Sequence, residues 1–569
     1  MKVDQLIKNV NVYNTFTQSF EHGNVYVLDG KFYHLKLEED LESDLIIDGK
    51  NKYMIPGLID IHMHIESSMT IPSEFSKAVL KHGVTTVVAD PHEIANVLGI
   101  EGIETYMSNA TTLDIFYSIP SSVPSTNSLL ETTGGMIDSA NVKQLLQNPK
   151  VLCLGEVMNF KDLTNPDYSL TRDIIKACHE HYFALPIEGH CPKISGLDLS
   201  RYIYYGVTAD HTQQSPQSIV EKIKNGMFLE IQKKSMTKEN IKTLVDHQFY
   251  EYFCLVTDDV MADHLSEGHL NLLVKLAYDL GMPIEKAIYC ATYSPARRMH
   301  LFDRGSISPG LIADYILLDD LKQFKIHSVY KKGKCVYSKE EDVIVHENKS
   351  IFPTHFYHSI NLKKAHENDF IINVPTKKNV VLCNVIEIES HSTFTHHCQI
   401  EVPVKNHQLM WQETDLALLC VFERYGKNHN CTFALVKGAI EAGAIATSWA
   451  HDHHNVMVMG RNIKDMVKAQ HEIIDNQGGY VVVYNETIKA FAHLNVGGIV
   501  SDQPINVLSK QLKEVREQMQ HLGYHHHNEI MSFSTLSLPV SPEIKVTDQG
   551  IIKTRTQEII PLMELNDEN

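Results

Sequence analysis

The sequence lacks several features that would assign it to a large class of proteins. It contains no run of 18 uncharged apolar residues, the length that a membrane-spanning helix needs. Its ten cysteines form no Cys-x-x-Cys pair, so we expect neither a disulfide framework nor a cysteine zinc site. The N-terminal segment shows neither an apolar signal region nor a small-residue cleavage site. We therefore expect a protein of the reducing cytoplasm with no membrane partner.

The chain also lacks an excess of positive charge. Its 51 Lys and Arg residues are outnumbered by 70 Asp and Glu residues, which gives a formal net charge of −19. A surface of this sign repels nucleic acids and anionic membranes, so we expect neither as a partner. A small, neutral or cationic substrate is compatible with it. With 569 residues, of which 43% are hydrophobic, the chain is long enough for two or three globular domains.

From residue 58 to about 300 one pattern recurs: a short apolar run, a polar residue at its end, and a helical stretch. The runs are apolar throughout, which is typical of parallel strands covered on both faces. Eight such runs predict an α/β fold with a (β/α)8 TIM-like barrel. The predicted strands are Leu58–His62, Thr85–Asp90, Ile115–Ile119, Val151–Glu156, Ala184–Glu188, Val207–Asp210, Phe228–Gln232 and Phe253–Thr257. The predicted helices include Pro72–His82, Ile94–Asn109 and Arg172–His181.

The segments on either side of the barrel predict two further domains. Residues 1–56 and 303–347 both show a pattern of short strands separated by turns. We therefore expect these two segments, which flank the barrel at 57–302, to form one small β-domain. Residues 348–569 mix strand and helix patterns and predict a C-terminal mixed α/β domain. Its predicted strands are Val380–Glu387 and Tyr480–Tyr484, and its predicted helices are Thr432–Gly443, Ile463–Gln477 and Ile505–Gln520.

The first predicted barrel strand ends in a His-x-His pair. Side chains alternate faces along a strand, so His62 and His64 point the same way and converge on one point. Two neutral imidazoles at this spacing suit a divalent metal ion. The alternative interpretation is a pair of hydrogen-bonded histidines at a strand end.

Carboxylates and imidazoles recur at later strand ends, where barrels of this type place their catalytic groups. So many buried polar groups are costly unless they coordinate something or one another. No cysteine is among them, so the set suits Zn²⁺, Mn²⁺ or Fe²⁺. The strand-end groups are His62 and His64, Asp90-Pro91-His92-Glu93, Glu156, His190, His211, and Asp258-Asp259.

The set has enough ligands for two divalent ions. The His-x-His pair would hold one ion, the histidines after strands five and six would hold the other, and Glu156 would bridge them. Asp258 would hold the first ion or contact the water. A hydroxide between two cations is available near neutral pH because metals lower the pKa of bound water. The six predicted metal ligands are His62, His64, Glu156, His190, His211 and Asp258.

Six longer motifs surround these candidate ligands and continue beyond the barrel. The chain resembles the metal-dependent amidohydrolase superfamily and, within it, the bacterial adenine deaminase family. The superfamily resemblance rests on Pro56–His64 with His190, His211 and Asp258 at later strand ends. The motifs that point to adenine deaminases are Ile65–Met69, Asp90–Val97, Gly155–Asn159, Ala450–Asn455 and Leu536–Val540. The resemblance implies hydrolysis of adenine to hypoxanthine and ammonia in purine salvage. It also implies a binuclear centre that commonly holds manganese or ferrous iron, with zinc as an alternative, and a homodimer.

The implied reaction assigns roles to individual residues. A metal-activated hydroxide attacks C6 of adenine, and an acid, for which Glu156 is the candidate, protonates a ring nitrogen. Asp258 takes the proton of the hydroxide and passes it to the departing amino group. His92 and Glu93 are candidates to read the purine edge. The segment Gln232–Ser235 departs from the Arg-Glu-Gly-Ser that we expect from the family near strand seven.

Three neighbouring features have other interpretations. Asp90 precedes a proline and is typical of a residue that caps a turn or the next helix. Glu188 is expected to accept a hydrogen bond from a ligating histidine. The run His451–His454 could be a third metal site, a lid over the barrel mouth or a hydrogen-bond cluster at a domain interface; the last two together are favoured.

Two competing functions remain open from the sequence. One is another amidohydrolase reaction, the opening of a cyclic amide or imidazolone ring, which would use the same metal pair but release no ammonia. The other is a metal-binding scaffold that has kept the barrel without catalysis. The complete set of candidate ligands argues against the scaffold.

Overall fold

The structure is a computed structural model that describes residues 2–35, 41–341, 343, 345, 347, 350–390 and 392–565. The predicted domain boundary at 347 and 348 lies partly outside the described residues. Among the helices of the described residues, none is long and apolar enough to cross a membrane.

The described strands are labelled in chain order. They are β1 (Lys2–Asn14), β2 (Ser19–Leu28), β3 (Lys31–Leu35), β4 (Glu42–Asp48), β5 (Tyr53–Pro56), β6 (Leu58–Met63), β7 (Val84–Ala89), β8 (Asp114–Ile119), β9 (Val151–Val157), β10 (Ile187–Gly189), β11 (Ala209–Asp210), β12 (Phe228–Ile231), β13 (Phe253–Leu255), β14 (Tyr315–Asp320), β15 (Lys325–Lys331), β16 (Lys334–Ser338), β17 (Val380–Ile388), β18 (Thr395–Lys405), β19 (Gln408–Leu409), β20 (Ala417–Phe422), β21 (Cys431–Lys437), β22 (Ala444–Thr447), β23 (Val456–Gly460), β24 (Gly479–Tyr484), β25 (Thr487–His493), β26 (Ile544–Thr547), β27 (Gly550–Lys553), β28 (Glu558–Ile560) and β29 (Met563–Glu564).

The helices are labelled in the same way. They are α1 (Pro72–Leu80), α2 (His92–Ser108), α3 (Ser139–Leu145), α4 (Phe160–Leu163), α5 (Leu170–His181), α6 (Gly196–Tyr204), α7 (Pro216–Lys224), α8 (Lys238–Asp246), α9 (Ala262–Leu265), α10 (Leu270–Asp279), α11 (Ile284–Cys290), α12 (Tyr293–Arg298), α13 (Ile463–Asp475), α14 (Ile505–His521) and α15 (Glu529–Ser534). Short 3-10 helices cover Glu66–Ser68, Lys233–Ser235, Thr354–Tyr357, Glu367–Phe370, Trp411–Glu413 and Thr535–Ser537.

Strands β6 to β13 form a closed parallel barrel. Five of them lie in the order β10-β9-β8-β7-β6 and three in the order β11-β12-β13. Hydrogen bonds join the two groups, from the Thr208 amide to the Ile187 carbonyl (3.0 Å) and from the Asp258 amide to the His62 carbonyl (3.1 Å). All six residues of β6 and of β7 are buried, as their continuous apolar runs predict. The predicted TIM-like barrel of the α/β class is confirmed.

A second sheet combines strands from both flanks of the barrel. Its order is β16-β15-β14-β5-β1-β2-β3, with β4 on β1. Strand β14 runs antiparallel to β5, with Tyr315 opposite Pro56, so the chain enters the barrel directly from this sheet. The rings of Tyr315 and Tyr330 stack at 4.4 Å in its core.

The C-terminal part is built on a sheet in the order β19-β18-β17-β21-β20-β23-β22-β24-β25, with β29 on β17. The predicted helix Thr432–Gly443 is wrong, because its first half is strand β21, paired with β17 and β20. The sequence Thr432-Phe433-Ala434-Leu435-Val436 is rich in β-branched and aromatic residues, which pack well between two strands. The predicted helices at 463 and 505 are present as α13 and α14.

Candidate active site

The barrel brings the six predicted metal ligands to one place at the C-terminal ends of its strands. They lie in or within three residues after β6, β9, β10, β11 and β13. Their ligand atoms form overlapping groups in which the atoms lie within 4.8 Å of one another, including His62 with His64 and Glu156, and Glu156 with His190 and His211. All are buried except His190, which is partly exposed.

Glu156 lies between the two histidine pairs. Its Oε2 accepts a hydrogen bond from His190 Nδ1 at 2.8 Å and lies 3.3 Å from His211 Nε2. Its Oε1 lies 3.6 Å from His64 Nε2. The two carboxylate oxygens therefore face different histidine pairs, which is the arrangement that a bridging carboxylate requires.

Asp258 faces the first histidine pair. Its Oδ1 lies 3.5 Å from His64 Nε2 and 3.9 Å from His62 Nε2. The residue has a φ of 59°, in the left-handed region that is uncommon for an aspartate and is often found at functional sites. The other oxygen, Oδ2, accepts a hydrogen bond from Gln232 Nε2 at 2.7 Å.

The donor set fits a divalent metal ion. The ring of His62 stacks on that of His211 at 3.8 Å, and His62 Nε2 is buried with no hydrogen-bond partner among the described residues. A buried imidazole nitrogen left without a partner is costly unless something else binds it. Nitrogen and oxygen donors without sulfur suit manganese, ferrous iron or zinc.

The pKa shifts of two candidate ligands, His62 and Glu156, favour the forms that bind a metal ion. Burial lowers the pKa of His62 to about 3, and the neighbouring His211 adds to this effect. Burial has the opposite effect on Glu156, but His211, His190 and His64 together hold the pKa of its carboxyl well below the ordinary value. A neutral imidazole and an ionised carboxylate are the forms that bind metals.

The two predicted substrate-reading residues lie in different surroundings. His92 lines the cavity, with its Nδ1 3.8 Å from Glu156 Oε1 and its Nε2 3.7 Å from Asp452 Oδ1. Glu93 is fully buried: its Oε1 accepts a hydrogen bond from Ser67 Oγ at 3.1 Å and lies 3.3 Å from His451 Nδ1. The cavity-lining residues that the structure describes do not include Glu93.

Two predictions about the neighbours are wrong. Asp90 does not cap the next helix; its Oδ2 accepts a hydrogen bond from the Glu156 amide at 3.1 Å, and its carbonyl lies 3.0 Å from His64 Nδ1. It therefore holds two candidate ligands in place. Glu188 does not accept a hydrogen bond from a candidate histidine ligand. Its Oε1 accepts one from Arg298 Nη2 instead, at 2.6 Å. An arginine from α12 is a stronger partner for a buried carboxylate than a neutral imidazole.

The segment that departs from the family pattern touches a candidate ligand. Gln232 Nε2 donates to Asp258 Oδ2 and to the His211 carbonyl, at 2.7 and 3.0 Å. Lys234 Nζ lies 3.9 Å from the same carboxylate oxygen. No local sequence pattern indicates these contacts, since they join residues more than 20 positions apart.

The ligand cluster opens into a cavity of about 650 Å³ between the barrel and the C-terminal part. From the barrel, His64, His92, Glu156, His190, His211 and Asp258 line it. From the C-terminal part, Phe394, His451, Asp452, Met531, Leu538 and Val540 are among the lining residues. The run His451–His454 is buried where the two parts meet.

Comparisons with known proteins first define the class. Residues 53–336 match the model of the amidohydrolase family, and residues 392–558 match the adenine deaminase C-terminal domain. The chain is 55% identical over 570 residues to an adenine deaminase of Clostridium perfringens, covering 99% of this chain and 100% of the relative. It is 49% identical to adenine deaminase 2 of Oenococcus oeni, covering 100% of both chains. The chain therefore belongs to the adenine deaminase family.

Proposed function

We propose that this protein hydrolyses adenine to hypoxanthine and ammonia, a reaction of purine salvage. Full-length similarity to proteins named adenine deaminase supports the substrate. The single observation that supports the chemistry is the position of Glu156, whose two oxygens face two separate histidine pairs at the floor of one cavity.

We propose that two divalent ions, manganese or ferrous iron with zinc as an alternative, bind at this floor. When bound, such ions supply Lewis-acid activation of water near neutral pH. The residues that would hold them are His62, His64, Glu156, His190, His211 and Asp258.

Side chains of this protein would carry out the proton transfers and hold the substrate. Both oxygens of Glu156 lie against histidines, so Glu156 would hold the metal ions, and it stays our candidate for the acid that protonates the ring nitrogen. Asp258 has one oxygen facing the cluster and the other anchored by Gln232, which suits a group that accepts a proton from water and delivers it to the departing amino group. His92, at the cavity wall, is placed to contact the purine.

The proposal also covers the cellular compartment and the oligomeric state of the enzyme. All ten cysteines are free thiols in the structure, which agrees with a reducing compartment, and we propose the cytoplasm. A homodimer stays a prediction that sedimentation of the purified protein would test.

An ammonia-release assay tests this function. The manganese-loaded protein is assayed with adenine, adenosine, guanine, cytosine and dihydropyrimidines. We expect ammonia with adenine and not with the others. Absence of ammonia from adenine would refute the proposal, and consumption of a dihydropyrimidine without ammonia would indicate a ring-opening amidohydrolase.

A further inference from the structure

The C-terminal part contributes a carboxylate, Asp452, to the wall of the cavity. Asp452 is 3% exposed, and its Oδ1 lies 3.7 Å from His92 Nε2 and 3.2 Å from His451 Nδ1. Its second oxygen, Oδ2, is buried and has no hydrogen-bond partner in the part of the chain that the structure describes. Buried carboxylates are nearly always hydrogen-bonded, so one that lines a cavity with an oxygen left unpartnered indicates a donor on the ligand.

The position of Asp452 relative to the candidate ligands sets which part of a substrate it meets. His92 separates it from the cluster, with Nδ1 3.8 Å from Glu156 Oε1 on one side and Nε2 facing Asp452 on the other. Asp452 therefore lies about one imidazole ring away from the metal ligands along the cavity wall. In adenine, N9 is the ring nitrogen farthest from the reacting C6. A purine with C6 at the cluster therefore turns its N9 edge away from the cluster.

We propose that Asp452 accepts the N9–H of adenine and so selects the free base over nucleosides and nucleotides. This inference rests on the proposed deaminase function. A carboxylate is an acceptor only, so it pairs with an N–H group. A ribosyl group on N9 removes that hydrogen and adds bulk against the wall, and a site built to bind an N–H discriminates strongly against analogues that lack it.

The residues next to Asp452 fix the orientation of its side chain before the substrate binds. His451 Nδ1 lies between Asp452 Oδ1 and Glu93 Oε1, at 3.2 and 3.3 Å, and the His451 ring packs on Trp449 at 4.5 Å. Glu93, which the cavity does not reach, is therefore a positioning residue for the purine edge. A side chain fixed before binding loses little conformational freedom when the substrate arrives.

The test compares adenine with 9-deazaadenine, which carries C–H at position 9 and its ring N–H at position 7, without added bulk. For the manganese-loaded wild type we expect kcat/KM to favour adenine. In Asp452→Ala the ratio of the two kcat/KM values should fall by about 10- to 100-fold relative to the wild type, the range for one hydrogen bond to a charged group, mainly through a higher KM for adenine. Asp452→Asn should keep part of the ratio, because its amide oxygen still accepts. Comparing the ratio between variants cancels the intrinsic reactivities of the two compounds.

Asp475→Asn is the matched control, because Asp475 is exposed at the end of α13 and pairs with Lys364. It should keep the wild-type ratio. A wild-type ratio in folded, metal-loaded Asp452→Ala would overturn the inference; if that variant does not fold, an unchanged ratio in Asp452→Asn would overturn it. Failure of the wild type to deaminate adenine would instead refute the proposed function, so the two failures are distinguishable.

Discussion

Glu156 is the side chain on which the proposed chemistry depends most. It contacts His190, His211 and His64 through its two oxygens. Glu156→Gln keeps the shape but removes the charge and replaces one oxygen with an amide group that cannot bind a metal. We expect adenine turnover to fall by about 100- to 1000-fold or more, the range for removal of one electrostatic stabiliser.

Steady-state kinetics and metal analysis of Glu156→Gln check this prediction, with circular dichroism to establish folding. A folded variant with wild-type turnover would remove Glu156 from the centre.

Gln232 is predicted to support Asp258. Gln232→Leu keeps similar volume but removes the hydrogen bond to Asp258 Oδ2 and leaves that oxygen without its donor. We expect kcat/KM to fall by about 10- to 100-fold, as for other groups that orient metal ligands. Kinetics of Gln232→Leu beside Gln217→Leu, an exposed position on α7, measure the effect. Equal rates in the two variants would show that Asp258 needs no support from Gln232.

The sequence predicted that the candidate ligands lie close together, but it did not predict the hydrogen-bond partners of the residues around them. His64 and Asp258 follow from a simple rule, since both stand at the end of an apolar run and barrel strands end at one face. The partners of Asp90 and Glu188 could not be predicted, because the Glu156 amide and Arg298 are brought to them only by tertiary packing. Distant pairing of this kind leaves no local pattern in one sequence.

The same contrast holds for strands and helices. The barrel strands were recognised because continuous apolar runs alternate with amphipathic helices, although Ala184–Glu188 begins as strand only at Ile187. Strand β21 was predicted as a helix, because a strand buried on both faces shows no alternation and a short apolar run suits either structure. Its place between β17 and β20 decides the outcome.

Strand β26 contains a buried lysine that should make stability depend on pH. Lys545 is fully buried, its Nζ donates to the Thr393 carbonyl at 2.9 Å, and burial lowers its pKa to about 7. In the unfolded chain the pKa returns toward the ordinary value of about 10.4. Between these values the unfolded chain binds a proton that the folded protein does not, so stability from this group rises with pH.

Lys545→Met removes this titration. We expect the difference in unfolding free energy, wild type minus variant, to increase by on the order of 3 kcal/mol between pH 7 and pH 9.5. Urea unfolding of both proteins at each pH measures it, and all other titrating groups cancel in the difference. A difference that stays constant with pH would show that Lys545 keeps its proton in the folded protein.

Across the whole molecule, a buried ion network joins the small sheet to the base of the barrel. Lys331 Nζ donates to Asp114 Oδ2 at 2.7 Å, to Asp314 Oδ2 at 2.5 Å and to the Thr85 carbonyl at 3.0 Å. Arg304 Nη1 donates to the same Asp114 oxygen at 2.8 Å. These residues lie at the opposite end of the strands from the candidate centre.

Removing one member of this network should destabilise the protein without affecting catalysis. Lys331→Met leaves the buried Asp314 and the partly buried Asp114 short of a partner, and we expect a cost of about 3–5 kcal/mol. Lys334→Met, at an exposed position of β16, is the matched control. Denaturation and kcat at 25 °C are measured for both. A large loss of kcat in folded Lys331→Met would contradict the separation of this network from the site.

Anomalous diffraction from crystals soaked in Mn²⁺ tests the binuclear centre most directly. We expect two manganese peaks per chain at the C-terminal mouth of the barrel, with Glu156 between them, and the loss of at least one peak in Glu156→Gln. If no manganese binds at the C-terminal mouth of the barrel at saturating concentration, or if the ions bind only elsewhere, the proposed centre and the reaction assigned to it are contradicted.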